Sequence, residues 1–127
     1  MTYPRRRTVK RNTGFPPAVR AAVSVRSGGW CERCGAAHAV EIHHRRPRGM
    51  GGSKAPDTNR VTNALALCGS CHRWIEREHN RTESRVMGWL VLQGHDPAMT
   101  PLLYRGTWVF LTDDGGIESA GFGDGAA

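Results

Sequence analysis

Long apolar segments are missing from this sequence of 127 residues. No stretch approaches the roughly eighteen apolar residues of a membrane-spanning helix, so no membrane anchor is predicted. The first twelve residues carry five cations, and no apolar segment follows them, which speaks against a secretory signal peptide. We therefore expect a cytoplasmic protein in a reducing compartment, where cysteines rarely form disulfides.

Aromatic residues are also scarce, at 7% of the chain, whereas glycines number sixteen. A chain of this length forms one domain with a moderate core at best. A bound metal ion would help to stabilise a core that has so few large side chains.

Lysine is nearly absent, and acidic residues are rare in the first half of the chain. Residues 1–50 hold eleven lysines and arginines against two acidic residues, residues 51–127 hold seven against nine, and the net charge is +7. Sixteen of the eighteen cations are arginine, which binds phosphate through two parallel hydrogen bonds. This composition is typical of a protein that binds a polyanion, although a cationic surface that serves only solubility explains it equally well.

The four cysteines form two Cys-x-x-Cys pairs, Cys31 with Cys34 and Cys68 with Cys71. In a reducing compartment this spacing favours metal ligands over disulfides. Four thiolates make a closed tetrahedral zinc site that has no open position for a substrate. The sequence therefore predicts one structural Zn²⁺ ion.

Three segments are predicted along the chain, and together they describe an α+β fold. Residues 1–14 are basic and aperiodic, which predicts a flexible N-terminal arm. Residues 15–80 hold both cysteine pairs and are predicted to form the core. Residues 81–127 are predicted to form a C-terminal helix and β-hairpin extension, with a frayed tail from Ile117 onward.

The core segment should begin with a helix that starts at Pro16-Pro17 and ends at Gly28-Gly29. Residues 39–43 alternate in polarity like a short strand. Residues 71–78 are predicted to be helical, with Ser70 as the N-cap.

Later in the chain, residues 89–92 are a candidate strand. Residues 102–104 and 107–111 flank Arg105-Gly106 and are predicted to form a hairpin around that turn.

Three histidines and an asparagine accompany the cysteine pairs. His43-His44 ends the predicted strand, His72 follows Cys71 directly, and Asn63 precedes the second pair. Neighbours on a regular strand point to opposite faces, so His43 and His44 can share one site only if the strand breaks there, as Arg45-Arg46-Pro47 suggests. These residue types suit phosphodiester hydrolysis, which needs a base for the water and a cation for the phosphate.

The spacing from Asn63 to His72 around the second cysteine pair resembles that of HNH endonucleases, the ββα-metal or His-Me finger class. The resemblance covers residues 30–80 and is closest to small, free-standing phage-type members with two zinc knuckles. It implies a zinc-stabilised nuclease domain that cleaves DNA with one catalytic divalent metal, in a phage-encoded or bacterial protein. By this resemblance His43 and His72 bind that metal, His44 is the general base, and Asn63 orients the base.

Two positions leave alternatives open. Glu76 lies one helical turn after His72 and would either bind the metal, which favours Mg²⁺ or Mn²⁺, or pair with a cation on the surface. Asn59 is a rival to Asn63 as the orienting residue, but a loop asparagine more often forms a turn.

Five arginines surround the proposed site in sequence and are predicted to contact DNA phosphates: Arg45, Arg46, Arg48, Arg73 and Arg77. Two functions other than an endonuclease remain open. One is a zinc-knuckle DNA-binding module without catalysis, and the other is an accessory subunit of a phage DNA-packaging machine that associates with terminase.

Overall fold

A mixed α+β fold is seen in the computed structural model, which describes residues 14–47 and 58–121. These residues form three α-helices and two small antiparallel sheets. Nearly all of the predicted N-terminal arm, together with Arg48 and the last six residues of the chain, lies outside the described part. None of the described helices is long and apolar enough to cross a membrane.

The first helix, α1, spans Pro17–Ser27 and confirms both predicted ends. Pro16 is extended, with φ −65° and ψ 160°, and Gly28 adopts a left-handed φ of 65° while its N–H donates to the carbonyl of Ser24. Val23 packs with Phe15 in a small apolar cluster on one side of the first sheet.

That sheet is a two-stranded ribbon. Strand β1, Glu41–His44, pairs antiparallel with β2, Ala64–Leu67, which follows a 3₁₀ turn at Val61–Asn63. His43 lies opposite Leu65, and His44 lies opposite Ala64. The strand ends at Arg45-Arg46-Pro47, but β1 is regular through both histidines. His43 and His44 therefore point to opposite faces, and the strand does not break in the way that would let them share one site.

Helix α2 spans Gly69–Glu76 and begins two residues earlier than predicted. Its N-cap is Cys68 rather than Ser70, because the Cys68 sulfur accepts the N–H of Cys71 at 3.4 Å. The helix ends where Arg77 becomes extended, and a 3₁₀ turn at Glu78–Asn80 follows. Helix α3, Arg81–Val86, then confirms the helix predicted within residues 81–127.

The second sheet holds the predicted hairpin, β3 at Leu102–Tyr104 and β4 at Thr107–Leu111. Arg105 and Gly106 have φ of 50° and 91°, the two positive values that a tight hairpin turn requires. A third strand, β5 at Ile117–Ser119, pairs with β4, so the frayed tail does not begin at Ile117 as predicted.

Residues 89–92 are not a strand, in contrast to the prediction. Their apolar side chains Trp89, Leu90 and Val91 are buried although the backbone is irregular. A short apolar run indicates burial, but it does not distinguish a strand from a buried loop.

The main apolar cluster joins the two halves of the chain. It combines the buried cysteines with Leu65, Leu67 and Ile75, and with residues from the second sheet such as Leu102 and Leu111. The segment after Asn80 therefore packs into the same core as the cysteine pairs.

Candidate metal centres

The four cysteines meet at one point in the fold. Their sulfur atoms lie within 4.8 Å of one another, with three of the residues buried and Cys34 exposed. Backbone N–H groups of Arg33 and Cys34 point at the Cys31 sulfur, at 3.4 and 3.5 Å. Gly35 has a φ of 68°, which turns the chain back so that its N–H reaches the carbonyl of Cys31.

Electrostatics at this point favour a bound cation. Burial acts to raise the pKa of the Cys31 thiol, but the surrounding backbone N–H groups prevail and lower it to about 6. Burial raises the pKa of Cys71 to about 12, against the hydrogen bond from Arg33. Neighbouring thiolates repel one another, so ionising all four requires a compensating cation. The cluster could hold a metal such as zinc, which prefers four thiolates in this arrangement.

Arg33 supports the cysteine cluster from within the first Cys-x-x-Cys pair. Its Nη1 donates to the sulfur of Cys71 at 3.1 Å. The guanidinium carbon lies 4.4 Å from the Trp74 ring centre and 4.3 Å from that of Trp89. The cation thus joins the sulfur cluster to the aromatic core.

Glu32, also within that pair, is fully buried and anchors it to the rest of the fold. Its carboxylate accepts hydrogen bonds from Arg26 at 2.7 and 2.8 Å, from Tyr104 at 2.7 Å and from the N–H of Ala66 at 2.8 Å. Helix α1, β2 and β3 are therefore tied to the first cysteine pair through one carboxylate.

A second cluster, the His–Glu cluster, consists of His43, His72 and Glu76. One ligand atom from each lies within 4.8 Å of the others. The Glu76 Oε2 is 3.5 Å from His43 Nδ1 and 3.4 Å from His72 Nε2. The hydrogen bond from His43 lowers the pKa of Glu76, partly offset by burial and assisted by His72 and Arg81, so the carboxylate is held in its charged form.

Both imidazole rings are oriented by partners on their far nitrogens. His43 Nε2 lies 2.9 Å from the carbonyl oxygen of Trp89, and His72 Nδ1 lies 2.7 Å from Glu41 Oε1. These oxygens can only accept, so each of the two nitrogens carries the proton. The opposite nitrogens, His43 Nδ1 and His72 Nε2, face Glu76, and in the neutral rings they carry the lone pairs with which a metal would be bound.

The structure thus brings together His43 and His72 with Glu76, whose role as a ligand the sequence had left open. Two imidazoles and a carboxylate are a ligand set that leaves positions open for water or a substrate oxygen. An open cleft of about 460 Å³ adjoins them and is lined by Glu41, His72, Arg73, Glu76 and Arg77.

His44 lies outside the His–Glu cluster, on the other face of the ribbon. Its ring stacks on Phe15, with the centroids 4.1 Å apart and the planes inclined by 17°. Its Nε2 lies 3.0 Å from Oδ1 of Asn59. The amide that orients His44 is thus that of Asn59, the residue that sequence reasoning ranked second.

Asn63 has a different role from the predicted one. It is fully buried, and its Oδ1 accepts the N–H of Arg46 at 2.7 Å. Its Nδ2 donates to the carbonyls of Arg46 at 3.1 Å and Thr58 at 2.9 Å. Asn63 therefore joins the chain just after His44 to the chain at Thr58, and its amide binds backbone groups while the His44 ring is contacted by Asn59.

Two of the arginines predicted to contact DNA are buried instead. Arg45 is 0% exposed, burial lowers its pKa to about 9, and its guanidinium donates to four backbone carbonyls, those of Thr62, Gly88, Pro97 and Thr100. Arg46 is also buried and donates to the carbonyl of His95 at 2.8 Å. Phosphate contact by Arg45 is excluded in this fold, because its guanidinium donors serve the backbone. Arg46 is buried with its Nη1 bound to a carbonyl, which does not favour phosphate contact.

Arg73 and Arg77 are exposed and line the cleft beside the His–Glu cluster, as the phosphate-contact prediction requires. Arg48 lies outside the described residues.

Glu41 and the Trp89 carbonyl are members of the site that sequence reasoning missed. Glu41 could have been found, since it lies two residues before His43 on a predicted strand and hence on the same face. The carbonyl of Trp89 has no sequence signal, because every residue carries one.

No family model matches the chain, and neither a curated protein nor a solved structure matches it significantly.

Proposed function

We propose that this chain is a metal-dependent endonuclease of the HNH type that hydrolyses phosphodiester bonds of DNA. The observation that carries the proposal is the His–Glu cluster, in which two oriented histidines and a charged carboxylate converge beside an arginine-lined cleft. Structural Zn²⁺ at the four cysteines and a second divalent metal at the cluster are part of the proposal.

The ligand set suits a divalent cation that accepts both nitrogen and oxygen. Carboxylate oxygen favours Mg²⁺ or Mn²⁺, and the two imidazole nitrogens favour Mn²⁺ of the pair. Such a metal, when bound, stabilises the charge on the phosphate and on the leaving 3′ oxygen. Arg73 and Arg77, on the exposed side of α2 and just after it, supply the cations that hold neighbouring phosphates.

His44 is the proposed general base, and its position on the far face suits the reaction. In-line displacement at phosphorus puts the attacking water and the leaving oxygen on opposite sides. His44 lies on the opposite face of β1 from the proposed metal ligands. If the phosphate lies across the edge of this strand, His44 can activate the attacking water on one side while the metal stabilises the leaving oxygen on the other. The Asn59 Oδ1 accepts from Nε2 and so leaves Nδ1 as the unprotonated nitrogen, the tautomer that takes a proton.

Plasmid cleavage by zinc-loaded protein, with Mg²⁺ or Mn²⁺ added in turn, tests this proposal. His44→Ala should reduce the rate by about a hundredfold to ten-thousandfold, the usual contribution of a general base, while DNA affinity stays unchanged. His79→Ala is the matched control, because His79 is an exposed histidine on the turn after α2. Cleavage by His44→Ala at the wild-type rate would show that the base is misassigned.

A non-catalytic zinc-knuckle DNA-binding module is the second candidate. It is supported by the cysteine cluster and the exposed Arg73 and Arg77, which it explains without any catalytic base. Wild-type protein that binds DNA but never cuts it with any of the metals would establish this alternative. Association with phage terminase stays a prediction, and co-purification with the packaging complex tests it.

A further inference from the structure

We propose that Glu41 is a positioning residue of the metal site, which holds the His72 ring so that Nε2 faces the metal. The inference rests on the metal-binding part of the proposed function and not on DNA cleavage. Glu41 itself lies at the start of β1, outside the His–Glu cluster.

The contact that carries the inference is the 2.7 Å separation of Glu41 Oε1 and His72 Nδ1. A carboxylate that accepts this N–H fixes both the tautomer and the ring rotation. In the neutral ring the lone pair then belongs to Nε2, which lies 3.4 Å from Glu76 Oε2. Carboxylates in this position also raise the basicity of a metal-bound imidazole.

His72 needs such a partner more than His43 does. The His43 side chain is 2% exposed and is held by a buried backbone carbonyl, whereas the His72 side chain is 25% exposed. A partly exposed ring on a helix surface can change rotamer, and each change would remove Nε2 from the site. Glu41 restricts that motion.

The register of the ribbon brings the carboxylate to this place. Glu41 pairs with Leu67, and Cys68 and α2 follow directly, so the start of β1 lies beside the first turn of α2. Glu41 and His43 share a face because strand side chains alternate. One face of β1 therefore supplies both a ligand and the group that orients the second ligand.

Mn²⁺ titration of zinc-loaded protein, followed by the electron paramagnetic resonance signal of free Mn²⁺, measures the effect without any nucleic acid. Glu41→Ala should weaken Mn²⁺ affinity about 10- to 100-fold, the usual cost of losing a partner that orients a ligand. Glu41→Gln keeps a carbonyl acceptor and should recover most of the affinity. Glu118→Ala, an exposed carboxylate on β5, is the matched control and should bind Mn²⁺ like wild type.

A double variant separates positioning from simple charge attraction. If Glu41 acts through His72, adding Glu41→Ala to His72→Ala should cause no further loss of Mn²⁺ affinity. An additional loss in the double variant, or wild-type affinity of Glu41→Ala alone, would overturn the inference. Wild-type Mn²⁺ affinity of His72→Ala would overturn the metal site itself. Protein that shows the Glu41 effect but cuts no plasmid would refute only the nuclease proposal.

Discussion

Replacing Asn63 by alanine should destabilise the fold, and this outcome separates the role seen in the structure from the role implied by the family resemblance. The side chain is fully buried and makes three hydrogen bonds with the backbone of Arg46 and Thr58. Alanine would leave one backbone N–H and two backbone carbonyls without their hydrogen-bond partner.

The magnitude follows from the cost of leaving buried polar groups without a partner. At about 1–3 kcal/mol for each group, and with partial relaxation, three groups amount to about 3–6 kcal/mol. The total free energy of unfolding of a domain is about 5–15 kcal/mol, so Asn63→Ala should remove a large part of it.

Urea unfolding at a fixed concentration of free Zn²⁺, followed by circular dichroism, measures the change. Asn59→Ala is the matched control, since Asn59 is half-buried and its amide contacts His44 instead of the backbone. That variant should lose about 1 kcal/mol at most and should slow cleavage. An Asn63→Ala protein with a wild-type urea midpoint and no cleavage would refute the reasoning and restore Asn63 as the residue that orients the base.

Three further predictions concern the cysteine cluster and two of the arginines. Elemental analysis should find one Zn²⁺ per chain. Cys68→Ser should lose the ion and lower the melting temperature sharply, because structural zinc contributes directly to folding. Zinc-free protein with an unchanged melting temperature would contradict this. Arg45→Met should cost roughly 3 kcal/mol or more in urea unfolding by stranding four carbonyls. Arg77→Ala should instead leave stability unchanged. It should reduce the slope of log DNA affinity against log salt concentration by about one for each phosphate that the arginine binds. If Arg45→Met changed only the salt dependence of DNA affinity, and Arg77→Ala changed only stability, the roles assigned to the two arginines would be wrong.

The sequence predicted those features that depend on near neighbours. Helix α1 has its proline start and glycine end within eleven residues, and the β3–β4 turn needs only the two positive φ values of Arg105 and Gly106. The cysteine cluster was predictable because each pair is a local knuckle and only one long-range contact had to be inferred. That His43 and His72 would share a site was implied by the resemblance to HNH endonucleases, and helix spacing placed Glu76 on the same face as His72.

The roles of Arg45 and Asn63 could not be predicted in the same way. An arginine beside a proposed phosphate site has the same donors whether it meets phosphate or peptide carbonyls. The carbonyls that bind Arg45 belong to residues between 62 and 100, which no local pattern places next to it. The amide of Asn63 is likewise satisfied by backbone groups at positions 46 and 58, so its side-chain type alone indicated a polar role but not the partner.

The register of the β1–β2 ribbon decides which histidine faces α2 and which faces Phe15. A slip of one residue would turn His44 to the α2 face and His43 to the Phe15 face, because side chains alternate along a strand. The ribbon is held against such a slip at both ends. At one end the Val40 N–H donates to the Leu67 carbonyl, next to the second cysteine pair, and at the other Asn63 and Arg45 bind the backbone. Loss of either anchor should therefore disturb the proposed metal ligand His43 and the proposed base His44 together, although neither anchor is a proposed ligand or base.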